Sequence, residues 1–294
     1  MSLEMRHSGF KRIVAPGSTV EQVATGFLFT EGPLWHPTEH YLLFSDMPGN
    51  VIRRWDSRNG VKVFRQPSEM ANGLTYDRQG RLLACHHASS RVTRTDRDGS
   101  VTAIATHFEG KQLNSPNDIM VAKDGSIYFS DPSFGRMEFY GLPRECELSF
   151  RGVYRLSTEG ELTLLVDDFA QPNGLCFSLD ESLLYINDTE RGEIRVFDVR
   201  SDGSLENGRT FARPTGKGNG APDGMKIDSE GHLYSCGPGG VHVFATDGTS
   251  LGVIRIPEVC ANFTWGGEAL KTLYVTASTS LYAIEVGVPG RPAF

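Results

Sequence analysis

A short pattern of polar and apolar residues recurs along this chain, and its repeat length limits the fold more than any other feature. Pro116-Asn117-Asp118 leads into an apolar stretch, a turn at Lys123-Asp124-Gly125-Ser126, a second apolar stretch and then Asp131-Pro132. Pro172-Asn173-Gly174 and Pro222-Asp223-Gly224 open the same pattern further on. Glu31-Gly32-Pro33, Asn72-Gly73 and, less completely, Asn262-Phe263 add three more copies. Measured between Glu31, Asn72, Asn117, Asn173, Asp223 and Asn262, the copies are 41, 45, 56, 50 and 39 residues apart. A period of about 40–50 residues built from short strands is that of a propeller blade.

The first copy shows the unit. Strands are expected at 33–36, 41–46, 50–56 and 60–65, with turn-forming clusters rich in Pro, Gly, Asn and Ser between them. The sixth copy is one strand short, and a spare strand near 18–25 can supply it and close the ring, which removes an exposed sheet edge. The expected fold is all-β: a six-bladed β-propeller, four antiparallel strands per blade, the N-terminal strand closing the last blade, one domain over 1–294. A segment at 134–150, rich in Gly, Pro, Phe and Tyr, interrupts the third copy and reads as a long loop, either a lid over the channel or a loop on the outer rim.

Composition excludes several classes. A net charge of −7 with no run of Lys or Arg argues against a nucleic-acid-binding face. No apolar run approaches the roughly 18 residues of a membrane helix, and residues 1–7 lack the apolar core of a signal peptide, so a cytoplasmic protein is expected. Cys85, Cys146, Cys176, Cys236 and Cys260 are odd in number and without a Cys-x-x-Cys pair, which disfavours a disulfide framework or a thiolate zinc site. No segment marks a dimer interface, and a monomer is expected.

In a propeller the innermost strand of each blade faces the channel, so equivalent positions converge on one axis. The ring of Glu31, Asn72, Asn117, Asn173, Asp223 and Asn262 offers only carboxylate and amide oxygens. Hard oxygen donors suit one divalent cation, Ca²⁺ or Mg²⁺ first and Mn²⁺ or Zn²⁺ less selectively. A single Asn-Gly before a strand is more often a turn than a ligand. Recurrence, and a glutamate in the first copy where a turn does not call for one, tip the reading towards a site.

The motifs Thr30-Glu31-Gly32-Pro33-Leu34-Trp35, Leu113-Asn114-Ser115-Pro116-Asn117-Asp118, Ser130-Asp131-Pro132, Pro172-Asn173-Gly174-Leu175 and Ala221-Pro222-Asp223-Gly224-Met225 resemble those of the gluconolactonase, senescence marker protein and luciferin-regenerating enzyme family. Cys85-His86-His87 with Arg91-Val92-Thr93-Arg94, and Asn262-Phe263-Thr264-Trp265-Gly266-Gly267, are similar to its bacterial gluconolactonase branch. The resemblance spans nearly the whole chain. It implies a divalent cation in the channel on Glu31, Asn173 and Asp223, with Asn117 a fourth ligand or close neighbour, and hydrolysis of sugar-acid lactones. Two departures stand out: Ser115 replaces the arginine of the animal members, and His86 the glutamate of the bacterial Cys-Glu-His.

On that reading the cation polarises a lactone carbonyl such as that of D-glucono-1,5-lactone and lowers the pKa of a bound water. Asp223 is the expected general base, or alternatively a nucleophile. Asn72, His87 and Asn114 are the expected substrate contacts, with His87 as a hydrogen-bond donor at the channel mouth. No Gly-x-Ser-x-Gly elbow is present, which disfavours a serine hydrolase. Two other functions fit the same fold: a phosphotriesterase-like hydrolase on the same metal site, and a non-catalytic interaction platform.

Overall fold

The computed structural model describes residues 3–15 and 17–293. Six antiparallel sheets follow one another around a central channel as the blades of a six-bladed β-propeller. Blade 1 is Thr30–His36, Tyr41–Asp46, Val51–Asp56 and Gly60–Arg65, the four strands hydrogen-bonded in chain order. Blades 2, 3 and 4 repeat this order, with inner strands Ala71–Tyr76, Ile119–Val121 and Pro172–Phe177. The inner strands of blades 5 and 6 are Met225–Ile227 and Cys260–Gly266.

The ring closes as expected. Glu21–Thr25 pairs with Ser280–Glu285 and becomes the outer strand of blade 6. Leu3–Met5 adds a fifth strand to blade 5, against Ser250–Arg255. Sequence pattern did not indicate that strand; three residues are too few to show a period of two.

The core lies between neighbouring blades rather than in one centre. One cluster joins blades 5 and 6 through Tyr234, Val243, Phe263, Trp265 and Val275, and takes in Phe10 and Ile13 of a short helix, Phe10–Ile13. Another joins blades 2 and 3 through Leu83, Val92, Phe129 and Tyr154. The inner strands of blades 1, 4 and 6 are buried along almost their whole length, on both faces.

The Asn-Gly pairs are not turns here. Asn72-Gly73 and Asn173-Gly174 lie inside inner strands, as does Glu31-Gly32. Pairing with the second strand slips at each of them, between Glu31 and Leu34, Ala71 and Leu74, and Pro172 and Leu175. Such a bulge unpairs a residue and re-aims its neighbour. Glycine is required there because the next blade comes close: a β-carbon on Gly32 would lie 2.0 Å from the Asn72 carbonyl oxygen, and one on Gly73 2.3 Å from that of Asn117. The recurrent glycine therefore lets blades 1, 2, 4 and 5 abut the next blade at the axis.

Candidate active site at the channel mouth

The second strands of blades 1, 3 and 4 end in Asp46, Asp131 and Asp188, all fully buried. Each accepts main-chain N–H groups from the segment leading into its own inner strand. Asp46 Oδ1 takes Leu28 N at 2.9 Å, Asp131 takes Asn114 N at 2.8 Å and Ser115 N at 2.7 Å, and Asp188 takes Ala170 N at 2.8 Å. These bonds fix the chain just ahead of Glu31, Asn117 and Asn173, so the recurrent Ser-Asp and Asn-Asp pairs are the struts of the site.

Five of the six ring residues converge. Glu31, Asn72, Asn117, Asn173 and Asp223 line one cavity of about 150 Å³. His87, Phe29, Met47, Phe134, Tyr140 and Thr189 complete its wall, and no Lys or Arg is among its described lining residues. A larger hollow of about 340 Å³ opens at the other mouth, lined by Asp118, Lys226 and mostly apolar groups. Its charged lining residues are Arg78, Asp118, Lys123, Glu181, Lys226 and Arg291, whereas the ring oxygens gather in the smaller cavity, which is therefore the candidate site.

Asn262, the sixth ring residue, is not in that wall. Its Nδ2 donates to Glu31 Oε2 at 3.2 Å and its Oδ1 accepts from Lys226 Nζ at 3.3 Å. It thus links Glu31 to the ammonium group of Lys226.

The two acids are held in a setting that opposes their charge. Burial raises Glu31 to about 7, with the Asp118 carboxylate adding to the rise and the Gly32 N–H and Asn262 amide opposing it. Asp223 is pushed well above the usual carboxylate range by burial first, then by the charge of Glu31. Two carboxylates that repel each other in one small cavity do not both ionise readily without a counter-charge. Both hydrogen bonds to Glu31 fall on Oε2, from Gly32 N at 2.8 Å and from Asn262. The Asn173 amide nitrogen is spent on Thr189 Oγ1 at 3.1 Å and on the Asp223 carboxylate.

That donor set fits a hard divalent cation. Two acids share a cavity with the side-chain oxygens of Asn72, Asn117 and Asn173, to which none of the described residues donates a hydrogen bond. Among the described residues no group of three or more His, Cys, Asp or Glu has metal-binding geometry; half of the candidate ligands here are amides.

Two expected substrate contacts are placed differently from the sequence reading. Asn114 is fully buried outside the cavity, its Nδ2 donating to the carbonyls of Asp131 at 3.2 Å and Phe150 at 2.9 Å. Its work is to staple the insertion to blade 3. His87 does line the cavity, but both ring nitrogens are engaged within the protein, Nδ1 with Tyr140 O at 2.8 Å and Nε2 with Asn72 Nδ2 at 3.2 Å. It has no free N–H to offer a substrate. His86, in place of glutamate, is also turned inward, between Ser68 O at 2.8 Å and Thr93 Oγ1 at 2.7 Å.

The insertion is a cover rather than an outer-rim loop. It carries one 3₁₀ turn, Phe134–Arg136, and sets Phe134 and Tyr140 into the cavity wall. Tyr140 packs edge-on against Phe29 of blade 1 at 5.4 Å, so the loop from blade 3 reaches across the mouth. Phe29, Met47 and Thr189 carry no chemical signature in sequence; their nearness to Glu31, Asp46 and Asp188, at strand ends facing the mouth, is the only hint.

The fold is a six-bladed propeller, and its candidate site is a covered, acid-and-amide pocket in the channel. The chain belongs to the SMP-30/Gluconolactonase/LRE-like family, whose profile matches residues 29–279. It is 33% identical to the gluconolactonase of Zymomonas mobilis, over 92% of this chain and 82% of that protein. It is 28% identical to a pentonolactonase of Haloferax volcanii, over 92% of this chain and 96% of that protein. The solved structure of a gluconolactonase from Xanthomonas campestris superposes with a TM-score of 0.91 at 34% identity, covering 97% of this chain and 95% of that one.

Proposed function

We propose that this protein is a lactonase that opens a sugar-acid lactone such as D-glucono-1,5-lactone, using one divalent cation held by Glu31, Asn117, Asn173 and Asp223. The observation that carries the reading is the pairing of Glu31 and Asp223, a buried and a half-buried acid that repel each other among amide oxygens in one small cavity. Ca²⁺ suits this all-oxygen set best, with Mg²⁺, Mn²⁺ or Zn²⁺ as substitutes. Two relatives spanning over nine-tenths of this chain are named for lactone hydrolysis, one for a hexonate and one for a pentonate ring.

When bound, the cation supplies a Lewis acid for the lactone carbonyl and a lowered pKa for water. The protein's part is proton handling and placement. Asp223 takes a proton from the attacking water and returns it to the ring oxygen as the C–O bond breaks, giving an open hydroxy acid that then ionises. Asn72 receives a substrate hydroxyl. Phe29, Phe134 and Tyr140 cover the ring and exclude bulk water, which strengthens every charge interaction inside.

A substrate panel tests this. Stopped pH-indicator assays with D-glucono-1,5-lactone, a pentono-1,4-lactone and a phosphotriester should show turnover of the sugar lactones and little of the phosphotriester. Preference for the phosphotriester would replace the lactonase reading with a phosphotriesterase. Silence on all three, in protein shown to bind a cation, would leave an interaction platform.

A further inference from the structure

His87 stands just past the strand Leu82–His86, where blade 2 meets the insertion, and only 1% of it is exposed. Its Nδ1 lies 2.8 Å from the main-chain carbonyl oxygen of Tyr140. A carbonyl only accepts, so Nδ1 carries a proton. In a neutral imidazole the other nitrogen is then an acceptor. Two side-chain amides turn their nitrogens to it, Asn72 Nδ2 at 3.2 Å and Asn117 Nδ2 at 3.4 Å. An amide that spends its NH₂ on one side presents its oxygen on the other. With the opposite tautomer, Nε2–H would claim those oxygens and leave NH₂ groups facing the cavity, where they repel a cation.

The Tyr140 carbonyl is itself held in place by packing. Gly135 of the insertion sits so tightly on His87 that an added β-carbon would lie 2.7 Å from His87 Cβ. Gly135 N donates to Ser115 Oγ at 2.9 Å, Leu142 N closes back on Gly135 O at 3.0 Å, and the Tyr140 ring braces on Phe29. Ser115, which stands where animal relatives are expected to have arginine, serves as an anchor for the cover.

We propose that His87 is a positioning residue: the insertion, through the Tyr140 carbonyl, holds it as the Nδ1–H tautomer, and its bare Nε2 turns the amide oxygens of Asn72 and Asn117 towards the cation and substrate. The consequence for cation binding rests on the proposed function; the tautomer does not. Partners that orient ligands in this way are worth about ten- to a hundredfold in metal affinity.

The test has two arms on the full chain. Long-range ¹H–¹⁵N correlation of ¹⁵N-histidine-labelled protein at neutral pH, with His87 assigned by its loss in His87→Gln, should show protonated Nδ1 and unprotonated Nε2. An Nε2–H or doubly protonated ring overturns the proposal, whatever the protein hydrolyses. Calorimetric titration with Ca²⁺ should show about tenfold or greater weakening in His87→Phe, which has no acceptor. In His87→Gln, whose carbonyl can take the place of Nε2, binding should stay within about threefold of the unsubstituted protein. Equal losses in both variants would reduce His87 to a packing residue, and a misfolded His87→Phe leaves the Gln variant and the tautomer to decide. A protein that binds no Ca²⁺ contradicts the cation reading itself, while the tautomer still decides the orientation of the amides.

Discussion

Gly174 faces the main-chain carbonyl of Asp223 so closely that a β-carbon added to it would stand 2.2 Å from that oxygen. The same oxygen accepts a hydrogen bond from Asn187 Nδ2, so it cannot retreat without breaking that bond. Gly174→Ala is therefore expected to push blade 4 off blade 5 at the axis. Overpacking of this kind costs about 1–3 kcal/mol. Thermal unfolding should show the loss, and kcat/KM should fall with it because Asp223 moves. A variant of unchanged activity and unchanged Tm would refute the claim that this contact places the acid.

Asn72 and Asn114 separate a site residue from a strut. Asn72→Ala removes a cavity oxygen and is expected to raise KM for lactone, with a smaller stability loss than Asn114→Ala because Asn117 Nδ2 still faces His87 Nε2. Asn114→Ala strands the Asp131 and Phe150 carbonyls in a buried place and is expected to cost about 1–3 kcal/mol. Its KM should stay close to that of the unsubstituted protein. Denaturant titration beside Michaelis kinetics distinguishes the two, and a KM effect confined to Asn114→Ala would reverse the assignment.

His242 makes stability sensitive to acid. Burial lowers it from 6.5 to about 4, with its Nε2–H donating to Pro238 O at 3.2 Å. Between those values the unfolded chain binds a proton that the folded chain does not. Stability is thus complete above about pH 6.5 and drains away as pH falls towards 4. The share due to this ring is about 2 kcal/mol by pH 4.5. His242→Gln keeps a donor to Pro238 and cannot titrate, so its drop in unfolding free energy from pH 7 to pH 4.5 should be smaller by that amount. Equal drops in the two proteins would show the ring is not the titrating group.

Phe29 and Tyr140 join the cover to blade 1. Phe29→Ala removes that brace and is expected to loosen the insertion. Amide hydrogen exchange over 134–142 should rise, with KM increasing more than kcat falls. Unchanged exchange would mean the loop's other ties hold it without this brace, among them Ser115, His87, Asn114 and Arg136, the last through its bond from Nη2 to Leu113 O at 2.6 Å.

Much of this was legible in the chain. Period and order of the six copies gave six blades, and the shortfall in the last copy pointed to the strand at Glu21–Thr25 that closes the ring. Glu31, Asn72, Asn117, Asn173 and Asp223 recur at one place in the repeat, and recurrence becomes convergence once the blades circle an axis. What local pattern misjudged were side chains whose direction depends on distant segments. Asn114 sits three residues from Asn117, yet the carbonyls of Asp131 and Phe150 turn it away from the cavity. His87 was visible as a polar group near the mouth, but its tautomer is set by a carbonyl 53 residues away. A lone Asn-Gly favours a turn; the register slip that places it inside a strand is a property of two strands together.

The most direct test of the central claim is base uptake in a pH-stat on adding D-glucono-1,5-lactone to chelator-stripped protein, then to the same protein resupplied with Ca²⁺, Mg²⁺, Mn²⁺ or Zn²⁺. An Asp223→Asn variant, near in volume and lacking the charge, runs alongside. The account predicts spontaneous-rate hydrolysis after stripping, turnover restored by at least one cation, and a loss of about a hundredfold or more in the variant. Undiminished turnover in stripped protein, or full activity in Asp223→Asn, would contradict it.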